Sequence, residues 1–150
     1  MSFFGSLDVS ASGLTAERMR MDVSAENLAN AQTTRTATGG PYRRKEVVLE
    51  DAAPGSFGAS LASAMGARGG GAATPGGVQV AGIVEDSTPM KTVYDPGHPD
   101  ANAQGYVKMP NVDTVTEMTD LISASRAYEA NVTAMQTAKQ MFAKTLDILR

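Results

Sequence analysis

The chain has 150 residues, 42% of them apolar, a formal net charge of −3, and neither cysteine nor tryptophan. Disulfides, thiolate metal sites and cysteine nucleophiles are therefore excluded, and a single histidine, His98, excludes a His-based metal cluster within one chain. Alanine supplies 23 of the apolar residues, and Leu, Ile, Val and Phe together only 27; that is under the roughly one-fifth below which chains struggle to bury a core, so the chain is expected to be elongated, partly disordered or completed by partners.

Residues 3–32 read as a helix. Phe4, Leu7, Ala11, Leu14, Arg18, Met21, Ala25, Leu28 and Gln32 step by three and four, a heptad rhythm in which Leu7, Leu14, Met21 and Leu28 form one apolar column beside an Ala-rich one. Gly13 within this run costs up to ~1 kcal/mol against Ala. The start, Met1 to Asp8, lacks the basic beginning and apolar run of a secretory signal, which predicts a cytoplasmic protein or one exported without a cleaved signal. No apolar run approaches the ~18 residues of a membrane span.

Residues 33–112 are Gly/Pro-rich with strand-like patches. Tyr42–Leu49 resembles a strand. The basic cluster before it, Arg43-Arg44-Lys45, is followed by Glu46, Glu50 and Asp51 and reads as a solvated strand edge or local contact, not a nucleic-acid site. Residues 54–77 hold eight Gly and two Pro, the composition of a flexible linker. Val78 to Val84 predicts a strand with Gly82 at a bulge, and Met90–Tyr94 its hairpin partner. Asp95-Pro96-Gly97-His98-Pro99 is a turn, which makes His98 a loop residue. Tyr106–Pro110 leads extended into the last segment.

Residues 113–149 read as a long helix, about 55 Å at 1.5 Å per residue. Met118, Leu121, Ser125, Tyr128, Val132, Met135, Lys139, Phe142, Leu146 and Leu149 keep the three-four step, with Leu121, Tyr128, Met135, Phe142 and Leu149 filling every d position. Thr114 with Glu117 fits a capping box, and acids at the start with bases at the end suit the helix dipole. The expected fold is mainly α with a small β element. Residues 1–32 and 113–150 pair as a terminal coiled-coil hairpin, and 33–112 form a small β-containing middle with its linker at 54–77. The apolar columns alone serve a helical hairpin core or a bundle between subunits equally well.

Chemistry is absent from the motifs. Gly69-Gly70-Gly71 has no Lys-Ser/Thr behind it and is not a P-loop. Glu50-Asp51 and Glu85-Asp86 are neighbouring carboxylates at strand ends, and no spacing matches a calcium loop. No catalytic, cofactor-binding or metal residues are assigned, and the expectation is a non-enzyme without cofactor.

Ser10-Ala-Ser-Gly-Leu14-Thr-Ala-Glu-Arg18, followed by Asp22 to Glu26 and then Asn27-Leu28-Ala29-Asn30, resembles the N-terminal signature of the axial proteins of the bacterial flagellum. Thr33 to Lys45, with Gly39-Gly40-Pro41-Tyr42-Arg43 at its centre, is similar to the proximal-rod members of that family. So are Gly105 to Asp113, Glu117 to Leu121 and Ala127-Tyr128-Glu129-Ala130-Asn131. Residues 52–77 depart from the pattern, and Glu26 stands where the family often has Asn or Ser.

The resemblance implies a structural subunit of the proximal rod, part of a hollow drive shaft that transmits torque and conducts export. It implies as partners other copies of the chain, other rod proteins, the protein joining rod to export apparatus, and the flagellar type III export machinery; it implies neither nucleic acid nor a small-molecule substrate. The place implied is the basal body, spanning the periplasm. Phe3 and Leu7 fit an N-terminal Phe-x-x-x-apolar export element. On this reading the assembly interface is Leu7, Leu14, Met21, Leu28, Leu121, Tyr128, Val132, Met135, Phe142 and Leu146. The rival is a soluble helical adaptor or export chaperone forming a small coiled-coil oligomer, which would use the same heptads.

Overall fold

The computed structural model describes residues 3–37, 39–52 and 76–148, with Phe3, Phe4 and Ile148 described in their backbone alone. Most of the expected linker and Leu149 lie outside the described residues. The element order is α1 (Phe3–Ala29), β1 (Lys45–Asp51), β2 (Val78–Glu85), β3 (Lys91–Tyr94), β4 (Tyr106–Met109) and α2 (Thr114–Ile148). Two helices therefore flank a small β middle of two two-stranded sheets, β1-β2 and β3-β4. The chain divides into two compact units. Met1–Glu17, Leu49–Ala81 and Arg126–Arg150 make one, here the terminal unit; Arg18–Val48 and Gly82–Ser125 make the other, the central unit.

In the central unit, α1 stops three residues short of the expected 32. The Asn30 amide and side chain both donate to Glu26 O, at 3.1 and 3.0 Å, and Ala31 N turns back to Leu28 O. The chain then makes a tight turn in which Thr36 N donates to Gly40 O at 2.8 Å. Gly39 and Gly40 both have φ of 86°, a region that glycine enters without steric cost. Tyr42 N returns to Thr33 O at 3.0 Å, which aims Pro41 to Lys45 back toward the end of α1.

The strand pairing differs from the expectation in one respect. Met90–Tyr94 was expected to pair with Val78–Val84, but β2 is taken by β1, and β3 pairs antiparallel with β4 in the register Val93 to Val107 and Tyr94 to Tyr106. The cause lies after β2. Asp86 N bonds Arg44 O at 2.8 Å, which keeps the chain on β1. Asp86 Oδ1 then accepts from Thr88 N in a two-residue turn, and Pro89 has no N–H to extend a ladder. The β3–β4 loop closes instead on Asn102, whose Oδ1 accepts from Gln104 N and Tyr106 N, and on Gly105 at φ 81°. A Cβ on Gly105 would lie 2.9 Å from the Tyr94 ring. His98 sits in this loop, its Nδ1 accepting from Asp100 N.

The start of α2 also departs from the expectation. Its cap is Asp113, whose Oδ1 accepts from Val115 N at 3.0 Å and Thr116 N at 3.4 Å. Thr114 is already helical, and Glu117 does not reach back as a capping box requires, because both its oxygens are engaged elsewhere. The apolar core of the central unit is small: Val23, Tyr42, Val107, Val112 and Ala124.

In the terminal unit, Ser12 in α1 joins helix to sheet, its Oγ accepting from Val78 N at 3.1 Å and donating to Val9 O at 2.8 Å. Gly77 lies so close to Ser12 that a Cβ there would collide with the hydroxyl. Ala52 N donates to Gly77 O at 2.7 Å, just beyond the ends of β1 and β2. Among the described residues, no helix is long and apolar enough to cross a membrane.

Candidate assembly interface

Gly13 with Asn131 and Asn27 with Glu117 are contacts between α1 and α2. In the terminal unit Gly13 faces Asn131, and a Cβ on Gly13 would lie 3.0 Å from Asn131 Nδ2. In the central unit the fully buried helical residues are Val23 and Asn27 on α1 and Glu117 and Ala124 on α2. Positions one residue apart on a helix are rotated by about 100°. The leucine column, one residue further along α1 than Gly13, therefore lies to the side of this contact and not in it. Leu7, Leu14, Met21 and Leu28 are all half-buried, as are Leu121, Tyr128, Val132 and Met135. Phe142 and Leu146 are 44% and 52% exposed.

Five of those residues come together in the terminal unit. Leu7 and Leu14 from α1, with Val132, Met135 and Phe142 from α2, line a cleft of about 620 Å³ that also includes Ala11 and, at its polar edges, Asp8, Gln136 and Lys139. Leu146 does not line it, and Met21, Leu28 and Leu121 belong to the central unit. Lys139, which breaks the a column in sequence, lines the cleft and is exposed; a lysine in such a place can lay its alkyl stem on apolar surface and keep its ammonium in water. Of the expected export element, Leu7 lies in the cleft and Phe3 is described in its backbone only.

The central unit has a second, polar feature that the columns did not announce. Asn27 is 1% exposed, yet all of its hydrogen-bonding capacity is used. Its Nδ2 donates to Lys45 O at 2.9 Å and to Glu117 Oε2 at 3.1 Å. Its Oδ1 accepts from Tyr42 OH and from Lys45 N, both at 2.9 Å. Glu117, also 1% exposed, takes Arg44 Nε on its other oxygen at 2.5 Å. The Arg44 guanidinium further pairs with Glu46 and faces Asp86 at 3.8 Å and Asp120 at 3.7 Å, while Arg44 N donates to Asn111 Oδ1. Asn111 in turn donates to Thr88 Oγ1 at 2.8 Å. Lys45 Nζ pairs with Glu26 at 2.6 Å and lies 5.7 Å from the centre of the Tyr42 ring.

The charges follow from this packing. Burial, then the carboxylates of Glu26, Glu117 and Glu85, push the Tyr42 phenol up to about 12. Burial works against the Arg44 charge, but the hydrogen bond and charge of Glu117, with Glu46 behind it, outweigh it and hold the guanidinium above its ordinary value. Thr88, through its backbone and side chain, holds the Asp86 carboxyl below the usual range, with Arg44 and Arg43 adding to the effect. Among the described residues, no group of three His, Cys, Asp or Glu is placed to hold a metal ion. What the arrangement can do is hold segments together.

Residues 7–35 match the family described as Flagella basal body rod protein, and residues 103–148 match Flagellar basal body rod FlgEFG protein C-terminal. The chain is 50% identical to the flagellar basal-body rod protein FlgC of Bacillus subtilis (strain 168), over 99% of each chain. It is 45% identical to FlgC of Escherichia coli O6:H1, over 99% of this chain and 98% of that one. For FlgC of Borreliella burgdorferi the identity is 44%, over 100% and 99%. The chain belongs to the FlgC family of flagellar basal-body rod proteins. The comparisons thus favour the rod over the adaptor.

The FlgC-like motif residues now have positions. Asn27 is the centre of the polar network and Tyr42 one of its donors. Leu28 is half-buried and Ala29 exposed at the end of α1. Asn30 closes the helix, and Gly39-Gly40-Pro41 form the turn that delivers Tyr42. Arg43 is exposed, and its Nη1 donates to Asp86 O. Sequence reasoning singled out Arg43 and passed over Arg44, Asn111 and Glu117 as a joined set. One signal was present. Glu117 precedes Leu121 and Ala124 by four and seven residues, so it shares their helix face. A carboxylate on such a face implies a buried cation, and Arg44 was a candidate.

Proposed function

We propose that this rod subunit acts mechanically, through helices that are only half covered in the single chain. The observation that carries the reading is the apolar cleft of the terminal unit, where Leu7, Leu14, Val132, Met135 and Phe142 stay accessible on a chain with a core too small to spare them. Soluble monomers rarely leave such apolar surface open without a partner for it. Neighbouring subunits would cover it, extending the interface to Met21, Leu28, Leu121, Tyr128 and Leu146.

Within the chain, the two terminal helices would act as an antiparallel coiled-coil hairpin. In support, Gly13 meets Asn131 and Asn27 meets Glu117, so two heptads forward on α1 correspond to two heptads back on α2. The assembled division would then be between these helices, residues 1–32 and 113–150, and the middle, 33–112. The partners on this reading are other copies of the chain, other rod proteins, the protein at the junction with the export apparatus, and the type III export machinery, which would engage Phe3 and Leu7. The subunit would reach the basal body without a cleaved signal, span the periplasm as part of a hollow shaft, and transmit torque through many shallow helix interfaces.

The test is complementation of a strain lacking the subunit with Leu28→Ala or Phe142→Ala. The purified variants are expected to keep near-parental helicity and thermal stability, while swarming is lost and isolated basal bodies lack a completed rod. Normal swarming with a complete rod in both variants would refute the reading.

A further inference from the structure

The network around Asn27 costs desolvation of a carboxylate and a guanidinium, and a buried ion pair is often no more stabilising than apolar residues of the same volume. Stability by itself therefore does not account for the network, and three features of the central unit point to alignment. First, the buried residues contributed by the two helices there are Val23, Asn27, Glu117 and Ala124, and of these Val23 and Ala124 carry no directional side-chain group. Apolar packing of this kind distinguishes poorly between helix registers. Second, Asn27 and Glu117 are saturated. A slip of α2 by one turn, about 5.4 Å, would break the Asn27–Glu117 bond and carry a buried carboxylate away from both Asn27 and Arg44. Third, the bonds tie three segments at once: the end of α1 through Asn27, the returning arm through Tyr42, Arg44 and Lys45, and the first turn of α2 through Glu117.

We propose that Asn27, Arg44 and Glu117 form a register lock, which selects one alignment of α1, the arm and α2 against alternatives that the non-directional apolar residues do not exclude. The polar groups act by excluding misalignment: every other register buries an unpaired charge. The inference concerns the single chain and stands independently of how subunits assemble.

The chain has no cysteine, so two can be introduced for spin labels at exposed positions of the central unit, Ala25→Cys on α1 and Ser123→Cys on α2. Distances between the labels are measured by double electron–electron resonance on the full chain. The parent is expected to give one narrow distance peak. In the Arg44→Met/Glu117→Leu double variant the helical circular dichroism and thermal midpoint are expected to stay near the parental values, while the peak broadens at least twofold or a second appears about one helical turn away. An unchanged single peak would overturn the proposal. So would loss of helical structure in the double variant, which would make the network a source of stability and not of alignment. Glu46→Ala, which removes only an exposed member of the network, is expected to leave the peak as in the parent; broadening there would overturn the assignment to Asn27, Arg44 and Glu117.

Discussion

The two units solve the same problem, bringing α1 near α2, with opposite chemistry. The terminal unit sets Gly13 against Asn131 and leaves Leu7, Leu14, Val132, Met135 and Phe142 around an open apolar cleft. The central unit closes its contact around Asn27 and Glu117, with every polar atom paired; among the described residues, no buried side-chain polar atom lacks a partner. Apolar surface is non-directional and accepts many partners, which suits a face to be covered from outside. Hydrogen bonds between buried groups are directional and costly to misplace, which suits a joint that must be right before anything covers it. Substitutions in the two regions should therefore fail in different ways.

The largest expected loss of stability is at Arg44. Arg44→Ala strands the Glu117 carboxylate, and removing one partner of a buried pair costs about 3–5 kcal/mol; the partly exposed Arg44 side chain places the loss at the lower end. Urea unfolding of the full chain measures it, and an unchanged midpoint would break the distinction between the regions. Asn27→Ala comes next, at about 2–4 kcal/mol for hydrogen bonds lost to buried or half-buried partners. By contrast, Phe142→Ala in the cleft should scarcely move the same midpoint.

A pH series sharpens the comparison further. The folded chain holds the Tyr42 proton more tightly than the unfolded one, with the phenol at about 12 against an ordinary 10.0. Its contribution is thus complete below about pH 10 and is lost as pH rises toward 12. Tyr42→Phe should flatten the alkaline loss of thermal stability across that window and remove the latest phase of a tyrosinate absorbance titration. An identical alkaline profile in parent and variant would show that Tyr42 is not held as described.

The smallest effect belongs to Gly13. Gly13→Ala gains about 0.5–1 kcal/mol of helix propensity but pushes the Asn131 amide, 3.0 Å from the new Cβ. The net change should stay within about 1 kcal/mol. In an Asn131→Ala background the same substitution should show the gain undiminished, and a double-mutant cycle measures the coupling.

Both long helices were legible because their periodicity runs unbroken for many turns. Expected bounds of 3–32 and 113–149 became Phe3–Ala29 and Thr114–Ile148. The turn at Asp95–Pro99 and the loop position of His98 were legible from local residue chemistry. The partner of β3 was not, since a strand as short as Lys91–Tyr94 carries no mark of which strand it joins, and a proline at 89 outweighed chain proximity. The cap of α2 was misplaced by one residue because Thr114 and Asp113 are both good capping residues, and only the engagement of Glu117 by Arg44 and Asn27 separates them. The apolar columns were correctly seen as helical faces, but which part of each face meets the other helix was not visible. A 100° step between adjacent residues separates a leucine seam from a glycine seam, and hydrophobicity favours the former.

By itself, then, the amino-acid sequence determined the two helices, the turns, the thin core and the membership of the rod family, because periodicity, turn chemistry and motif spacing are local properties of the chain. Only the tertiary structure decided that Gly13 meets Asn131 and Asn27 meets Glu117 while the leucines stay half open. It also decided that Arg44 reaches Glu117 and that Asn27 serves three segments. Each of these depends on residues far apart in the chain, with Asn27 and Glu117 separated by 90 positions, and the free energy of pairing a buried charge is set by where its partner lies.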